Sequence, residues 1–402
     1  MPPIKRALLS TFIIIFFVLC SCDTSKRGEE RSAPVLTLSP DPISPTEPIP
    51  LDSIVAQIDF VHLETTDNSL LSEVTKIRIT DDYILVLDEQ QKSLLFFARN
   101  GKFVKRIDRG DDPESPSELT DFTIQEDNTI CLLGEREILF YSKDGSFKKR
   151  TKIELDYDFI NYGYPYKFAY LKGDFYLWMG SFGRNELSPA NPEYSLYKLN
   201  SDFKITNKYF VNGIDLLEIP RFQEFTDSLI LTPTYLRDTL YRITDKDISS
   251  RFFVDFKSRA ISNHSDVKAK LRSESSIAYE LGNNTDLCMG VRYFLTTQNH
   301  IFFQYRCGNN GYDYIFNKIS GKGYSGRYFD AKIGIMPMLF PISTWQDNFV
   351  FYSEAPRVIE ELKNFNSQDK WPAFLQDKKE DLSKIRLDDN PVISIIKLKN
   401  FK

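Results

Sequence analysis

The chain has 402 residues, of which 51 are basic and 56 acidic, for a formal net charge of −5. The charges are mixed along its length with no basic stripe, so nothing supports nucleic-acid binding as its work. Phe (32) and Tyr (21) are abundant, as in a β-rich protein with half-buried strands.

Lys5 and Arg6 form a short positive region, followed by an apolar run from Ala7 to Leu19 broken only by Ser10 and Thr11. The run is too short for a mature membrane span and suits a signal-peptide core, so residues 1–21 are read as a leader. Leu19-Cys20-Ser21-Cys22 resembles the bacterial lipobox. That resemblance implies cleavage before Cys22 and a lipid on its sulfur, which would anchor the protein to a membrane; the alternative is an ordinary secretory signal. Residues 22–50 read as a disordered Pro/Ser-rich tether, with Ser39-Pro40, Asp41-Pro42, Ser44-Pro45, Glu47-Pro48 and Ile49-Pro50 among few apolar residues. Glu29-Glu30 fits a surface-export signal.

Residues 51–402 carry a repeat. Ser93 to Phe97 leads into Asn100-Gly101 and Phe103, and 44 positions later Ile138 to Tyr141 leads into Asp144-Gly145 and Phe147. A hairpin recurring at this interval marks a β-propeller blade, a four-stranded antiparallel sheet. Blade one reads as Lys76–Ile79, Tyr83–Leu87, Ser93–Ala98 and Phe103–Ile107; blade two as Phe122–Ile124, Thr129–Leu133, Glu137–Ser142 and Phe147–Ile153. The residue near the end of the third strand recurs as Phe97, Tyr141, Tyr197, Tyr241, Phe316 and Ile396, which counts six blades.

Wider spacings have visible causes: a loop at Ser181–Glu193, a helical pattern at Ser265–Leu281, and helical pieces over Ala355–Ile385 with Val358, Ile359 and Leu362 on one face. The last interrupts blade six between Phe349–Tyr352 and Val392–Lys397. Blade six then lacks a fourth strand, whereas Ile58–Glu64 is an unpaired strand before blade one. The expected fold is therefore an all-β six-bladed propeller with short helical insertions, its last blade closed by the N-terminal strand.

Several passages are similar to the six-bladed β-propeller lipoprotein family of Bacteroidetes, which is related in shape to NHL-repeat and TolB-type propellers. They are Leu63-Glu64-Thr65-Thr66 before Lys76-Ile77, Asp82 to Asp88, Asn100 to Val104, Asp238 to Ile243 with Val254-Asp255-Phe256, and Asn390-Pro391-Val392 leading to Lys397-Leu398-Lys399. The similarity spans roughly residues 52–400. One departure is the loop Arg109 to Glu118, where Ser117 replaces the second glycine of a Gly-Pro-Gly-Glu pattern. The resemblance implies a propeller in the cell envelope, held at the outer membrane and facing the periplasm or the surface. It implies no general activity.

Chemistry is sparse in the sequence. His62, His264 and His300 lack ligand spacing and read as surface or packing residues, so no metal or cofactor is expected. No Gly-x-Ser-x-Gly, P-loop, His-Glu-x-x-His or dinucleotide motif occurs, and Asp81-Asp82 and Asp111-Asp112 sit in turns. Cys131 reads as a small buried hydrophobe. With Cys288 and Cys307 it makes an odd count, which argues against a disulfide framework, although those two flank a hairpin.

Two groups fit ligand binding. Tyr162, Tyr164 and Tyr166 belong to an aromatic approach to blade three, with Trp178 and Arg184 following; such residues stack on sugars or peptides, or pack between blades. Arg292, Tyr305 and Arg306 on the blade-five hairpin fit an anion clamp, or rim salt bridges. The reading is a lipid-anchored extracytoplasmic propeller that binds a ligand or partner, a glycan, peptide or protein. The alternative is an enzyme using the axial funnel, a lactonase, lyase or glycan-active enzyme.

Overall fold

A computed structural model of the chain describes residues 35–40, 49–154, 165–179, 194–211, 221–233, 237–264, 286–308, 310–326, 340–368, 371 and 373–401. In chain order, β1 (Leu36–Leu38), helix α1 (Leu51–Ile54) and β2 (Val55–His62) precede blade one. Blade one is β3 (Val74–Ile79), β4 (Tyr83–Asp88), β5 (Ser93–Ala98) and β6 (Phe103–Asp108). Blade two is β7 (Asp121–Ile124), β8 (Ile130–Leu133), β9 (Glu137–Tyr141) and β10 (Phe147–Lys152). Blade three is β11 (Pro165–Leu171), β12 (Asp174–Met179), β13 (Tyr194–Leu199) and β14 (Ile205–Val211). Blade four is β15 (Arg221–Glu224), β16 (Leu229–Thr232), β17 (Thr239–Ile243) and β18 (Ile248–Val254). Blade five is β19 (Cys288–Thr296), β20 (His300–Cys307), β21 (Asn310–Asn317) and β22 (Lys322–Gly326). Blade six is β23 (Phe340–Trp345), β24 (Asn348–Ser353) and β25 (Val392–Leu398). The six marker residues all fall in third strands, β5, β9, β13, β17, β21 and β25.

Each blade is too thin to bury its own faces, so cores form between blades. Leu85, Phe96, Phe122 and Leu139 join blades one and two, and the series continues around the ring. It closes where Val350 and Ile393 of blade six pack with Ile77, Val86 and Phe97 of blade one. The middle strands are accordingly continuous apolar runs, such as Ile84 to Leu87 and Ile130 to Leu133, because both their faces are covered. Cys131 lies in the second of these runs, fully buried, and burial pushes its thiol pKa up.

The expected closure is present. β2 pairs antiparallel with β25 from Val55↔Leu398 to His62↔Val392 and completes blade six. Two further ties secure it. The buried Asn390 donates from Nδ2 to the carbonyls of Glu64 and Ser69 and accepts from Leu71 N–H. Glu64 N–H donates to the Gly101 carbonyl, and its carboxylate accepts from Phe103 N–H at 2.8 Å.

Between β24 and β25 lie α2 (Ala355–Gln368), a 3-10 segment (Ala373–Lys378) and α3 (Lys379–Leu382). Val358, Leu362, Leu375 and Leu382 pack with Val55 and Ile58, while Lys378 pairs with Asp59 (3.3 Å) and His62 with Asp381 (2.9 Å). The insertion thereby shields the outermost strand, which would otherwise be an open edge.

Two features depart from the sequence reading. Leu36–Leu38, within the span read as tether, forms a strand running parallel to β18, with Leu38 fully buried; blade four therefore has five strands. Cys288 and Cys307 are disulfide-bonded. They stand directly opposite each other on β19 and β20, which brings their Cα atoms to 4.0 Å, and Cys131 is the cysteine left over. The helical pattern at 265–281 and the loop at 181–193 lie outside the described residues. At the loop after blade one, the Ser117 hydroxyl donates to Glu137 at 3.1 Å, a bond that glycine does not make.

Candidate functional site

The two ends of the propeller differ. First-to-second and third-to-fourth strand hairpins have two to five residues each. Because strands alternate in direction, these hairpins share one end. The blade-to-blade and second-to-third connections leave from the other, and they include every long connection inside the ring, nine residues and upwards.

On the axis, the first strands bring polar side chains together in two layers. Arg78, Thr123, Gln223 and Thr344 each stand one residue before the last of their strand. Gln223 Nε2 donates to the Thr296 carbonyl (2.7 Å) and to Thr344 Oγ1 (2.8 Å), and its Oε1 accepts from Thr296 N–H (2.8 Å). Glu224 Oε2 accepts from Thr123 Oγ1 at 2.9 Å and faces Arg78 Nη2 at 3.4 Å. Blades one and four are opposite each other in a ring of six, so the Arg78–Glu224 pair spans the axis. This layer ties five blades and forms a polar plug near the hairpin end.

The second layer lies towards the long connections. Lys76, Asp121, Arg221 and Tyr293 each stand three residues before the end of their strand, and Lys167 stands four before. Asp121 is fully engaged. Its Oδ1 accepts from Lys76 Nζ and Phe122 N–H, both at 2.9 Å, and its Oδ2 from Phe168 N–H at 3.0 Å. Lys76 Nζ also lies 3.8 Å from Glu224 Oε1, a buried oxygen without a hydrogen bond of its own. Lys167 Nζ donates to the Thr120 carbonyl at 3.3 Å.

The Arg221 guanidinium lies over the Tyr293 ring, 4.2 Å from its centroid. Both Lys167 and Arg221 sit deep, and desolvation lowers their pKa values, Asp121 countering this in part. Each nonetheless keeps part of its surface open to solvent, as do Tyr293 and Tyr352. Burial pushes the Tyr352 phenol up to about 12, so it stays neutral and donates to the Val74 carbonyl at 3.2 Å.

Tyr293 is held at φ 49°, a left-handed conformation that costs a non-glycine residue about 1–2 kcal/mol. It lies where the β19–β20 register shifts between Arg292 and Leu295. Such a bulge re-aims a side chain, here onto the Arg221 guanidinium. Asp121 has both oxygens hydrogen-bonded within the protein, whereas Glu224 accepts from Thr123 through Oε2 and turns Oε1 towards Lys76. Among the described residues no group of three His, Cys, Asp or Glu side chains is placed to hold a metal ion, and no helix is long and apolar enough to cross a membrane.

The sequence-derived residues fall elsewhere. Trp178 is 3% exposed and packs in the core between blades three and four, its ring against Phe210. Tyr305 is 1% exposed, stacked on Tyr312 with its hydroxyl paired to Ser325 Oγ. Neither offers a face to a ligand. Arg292 and Arg306 are half-buried and close enough for each charge to act on the other, with Arg306 Nε donating to the Gly308 carbonyl at 2.8 Å. Tyr162, Tyr164, Arg184 and Cys22 lie outside the described residues, as does the side chain of Tyr166. His300 is buried against Phe401 and bonds the Lys399 carbonyl, a packing role.

The axial residues were missed because a charged residue on a first strand looks like an ordinary exposed face. The usable signal was periodic: Lys76, Asp121, Lys167 and Arg221 follow one another at intervals of 45, 46 and 54.

Fold and site together define a six-bladed propeller with a polar, partly solvent-open axis. The chain belongs to the family whose model is described as a domain of unknown function, DUF4934, which matches residues 34–397. Its fold is similar to the crystal structure of a candidate exported protein from Bacteroides fragilis, with a TM-score of 0.72 and 17% identity over 91% of this chain and 100% of that one. More distant is a DUF4221 family member from Bacteroides vulgatus, with a TM-score of 0.48 and 9% identity over 87% of this chain and 99% of that one. No curated protein matches the chain.

Proposed function

We propose that this protein is a lipid-anchored propeller of the cell envelope that holds a ligand on its axis. The observation that carries the binding site is the second axial layer. Charged and aromatic side chains from several blades meet there, partly open to solvent, towards the end from which the long connections leave the strands. Export is supported by the leader-like sequence from Lys5 to Leu19, by the name of the Bacteroides fragilis relative, and by the Cys288–Cys307 disulfide, a bond that persists in oxidising compartments. Cys22 is the lipid attachment site in this reading, and the outer membrane the destination. A glycan or peptide is the expected ligand class.

Metabolic labelling with palmitate tests the anchor: label on the wild-type chain and none on Cys22→Ser is the expected result, and label on neither refutes it. A glycan and peptide binding screen of the full chain tests the site. Binding that protects backbone amides of β15 and β19 from hydrogen exchange is expected; protection confined to the outer strands β6, β10 and β22 counts against an axial site.

A further inference from the structure

We propose that Arg221, framed by Tyr293, Tyr352 and Lys167, is the anchor for an oxyanion on the ligand: a carboxylate, sulfate or phosphate group. This rests on the axial binding site proposed above and names the chemistry that site takes.

Four observations converge on Arg221. Among the described residues no carboxylate forms an ion pair with it, although it sits deep in the molecule. The carboxylate that acts on it, Asp121, already accepts from Lys76 and from two backbone N–H groups. A deep charge without a paired counter-ion is unfavourable, and an incoming anion relieves it. The guanidinium sits over the Tyr293 ring, 4.2 Å from its centroid, and its planar fork of N–H donors is the group that grips two oxygens of an anion at once.

The strain at Tyr293 is the third observation, because a bulge and a left-handed backbone are maintained where the phenol meets the guanidinium. The fourth is the neighbourhood: Lys76 and Lys167 come from blades one and three and add positive potential to the same layer. Asp121 and Glu224 offset the charge of Lys76, at 2.9 and 3.8 Å, and three further carboxylates oppose the rest. Glu73 and Glu354 act on Tyr352 and Glu89 on Lys167, but Glu73 and Glu354 are exposed, where solvent and salt screen them, and Glu89 is half-buried. The close guanidinium therefore dominates for a compact anion on the floor of the site.

Isothermal titration of the full chain tests the assignment, with sodium sulfate, inorganic phosphate and glucuronate as probes, glucose as the neutral counterpart of glucuronate, and chloride as background. Sulfate and phosphate report a free oxyanion, and glucuronate a carboxylate carried by a sugar. At least one of the three is expected to bind, with affinity at least tenfold weaker in Arg221→Gln and several-fold weaker in Tyr293→Phe, which keeps the ring. Should Arg221→Gln fail to give a wild-type circular dichroism spectrum, Tyr293→Phe and Arg221→Lys carry the comparison. Absence of all three probes from the wild type overturns the assignment, as does binding that the variants leave unchanged. A neutral glycan held equally by wild type and Arg221→Gln also overturns it while leaving an axial site standing, so the two readings fail separately.

Discussion

Gly101 shows how one residue serves both a turn and the closure of the ring. It is held at φ +86°, and a Cβ there would lie 1.9 Å from the His62 carbonyl oxygen on the closing strand. The Asn100-Gly101 turn thus needs glycine for its backbone and for its neighbour. Gly101→Ala should destabilise the protein by on the order of 2 kcal/mol or more, read from urea melts, because the backbone strain and the clash add; an unchanged midpoint refutes the packing described. Asp313 on β21 makes a pH-dependent contribution. Its carboxylate accepts from Gln304 Nε2 at 2.8 Å, and burial pushes its pKa up to about 7. In the unfolded chain the group ionises near pH ~4. The folded state therefore holds the proton longer, and stability present below that pH is lost as pH rises towards 7, an effect of at most about 4 kcal/mol. Asp313→Asn keeps the acceptor and removes the titration, so it should melt higher than wild type at pH 8 and closer to it at pH 4. Parallel melting curves for the two across that range would contradict this.

At the scale of elements, the decisive unit is β2 with its partner β25. Removing residues 51–66 should lower the melting temperature sharply, because it strips blade six of its outer strand, uncovers Leu375 and Leu382, and takes from Asn390 its Glu64 carbonyl and Thr65 hydroxyl partners. A melting temperature within a few degrees of wild type would show that the ring holds without it. This closure was legible in the sequence because Ile396 has no hairpin after it and Ile58–Glu64 has no partner before it. The third strands were legible for a similar local reason, an aromatic or aliphatic end followed by a turn. β1 was not legible. It has three residues in a proline-rich stretch, and its partner β18 lies more than 200 residues away in a parallel pairing that leaves no local pattern. The disulfide was obscured by counting. Cys131 made the total odd, yet it is buried as a hydrophobe and takes no part, while the hairpin register places Cys288 opposite Cys307.

For the whole molecule, repetition fixes the frame and leaves the chemistry to positions that repeat in space. The aromatic residues that drew attention in sequence, Trp178 and Tyr305, turn inward because a ring of thin blades needs large side chains between its sheets. The axial set is the converse. Lys76, Asp121, Lys167, Arg221 and Tyr293 are spread over more than half the chain, and only their similar distance from each hairpin, three residues or, for Lys167, four, brings them to one level. A polar plug below this level, built on Gln223 and Glu224, keeps the axis from being an open pore and gives the site a floor. Asp121 spends both oxygens on internal partners, and Glu224 spends one on Thr123. The most direct test is a crystal structure of the full chain with a ligand found in the glycan and peptide screen. Ligand density is expected on the axis, within hydrogen-bond distance of the Arg221 guanidinium and against Tyr293. Density at the hairpin end, beside the Arg99–Trp345 stack, or on the outer face of a blade with the axis empty, would contradict it.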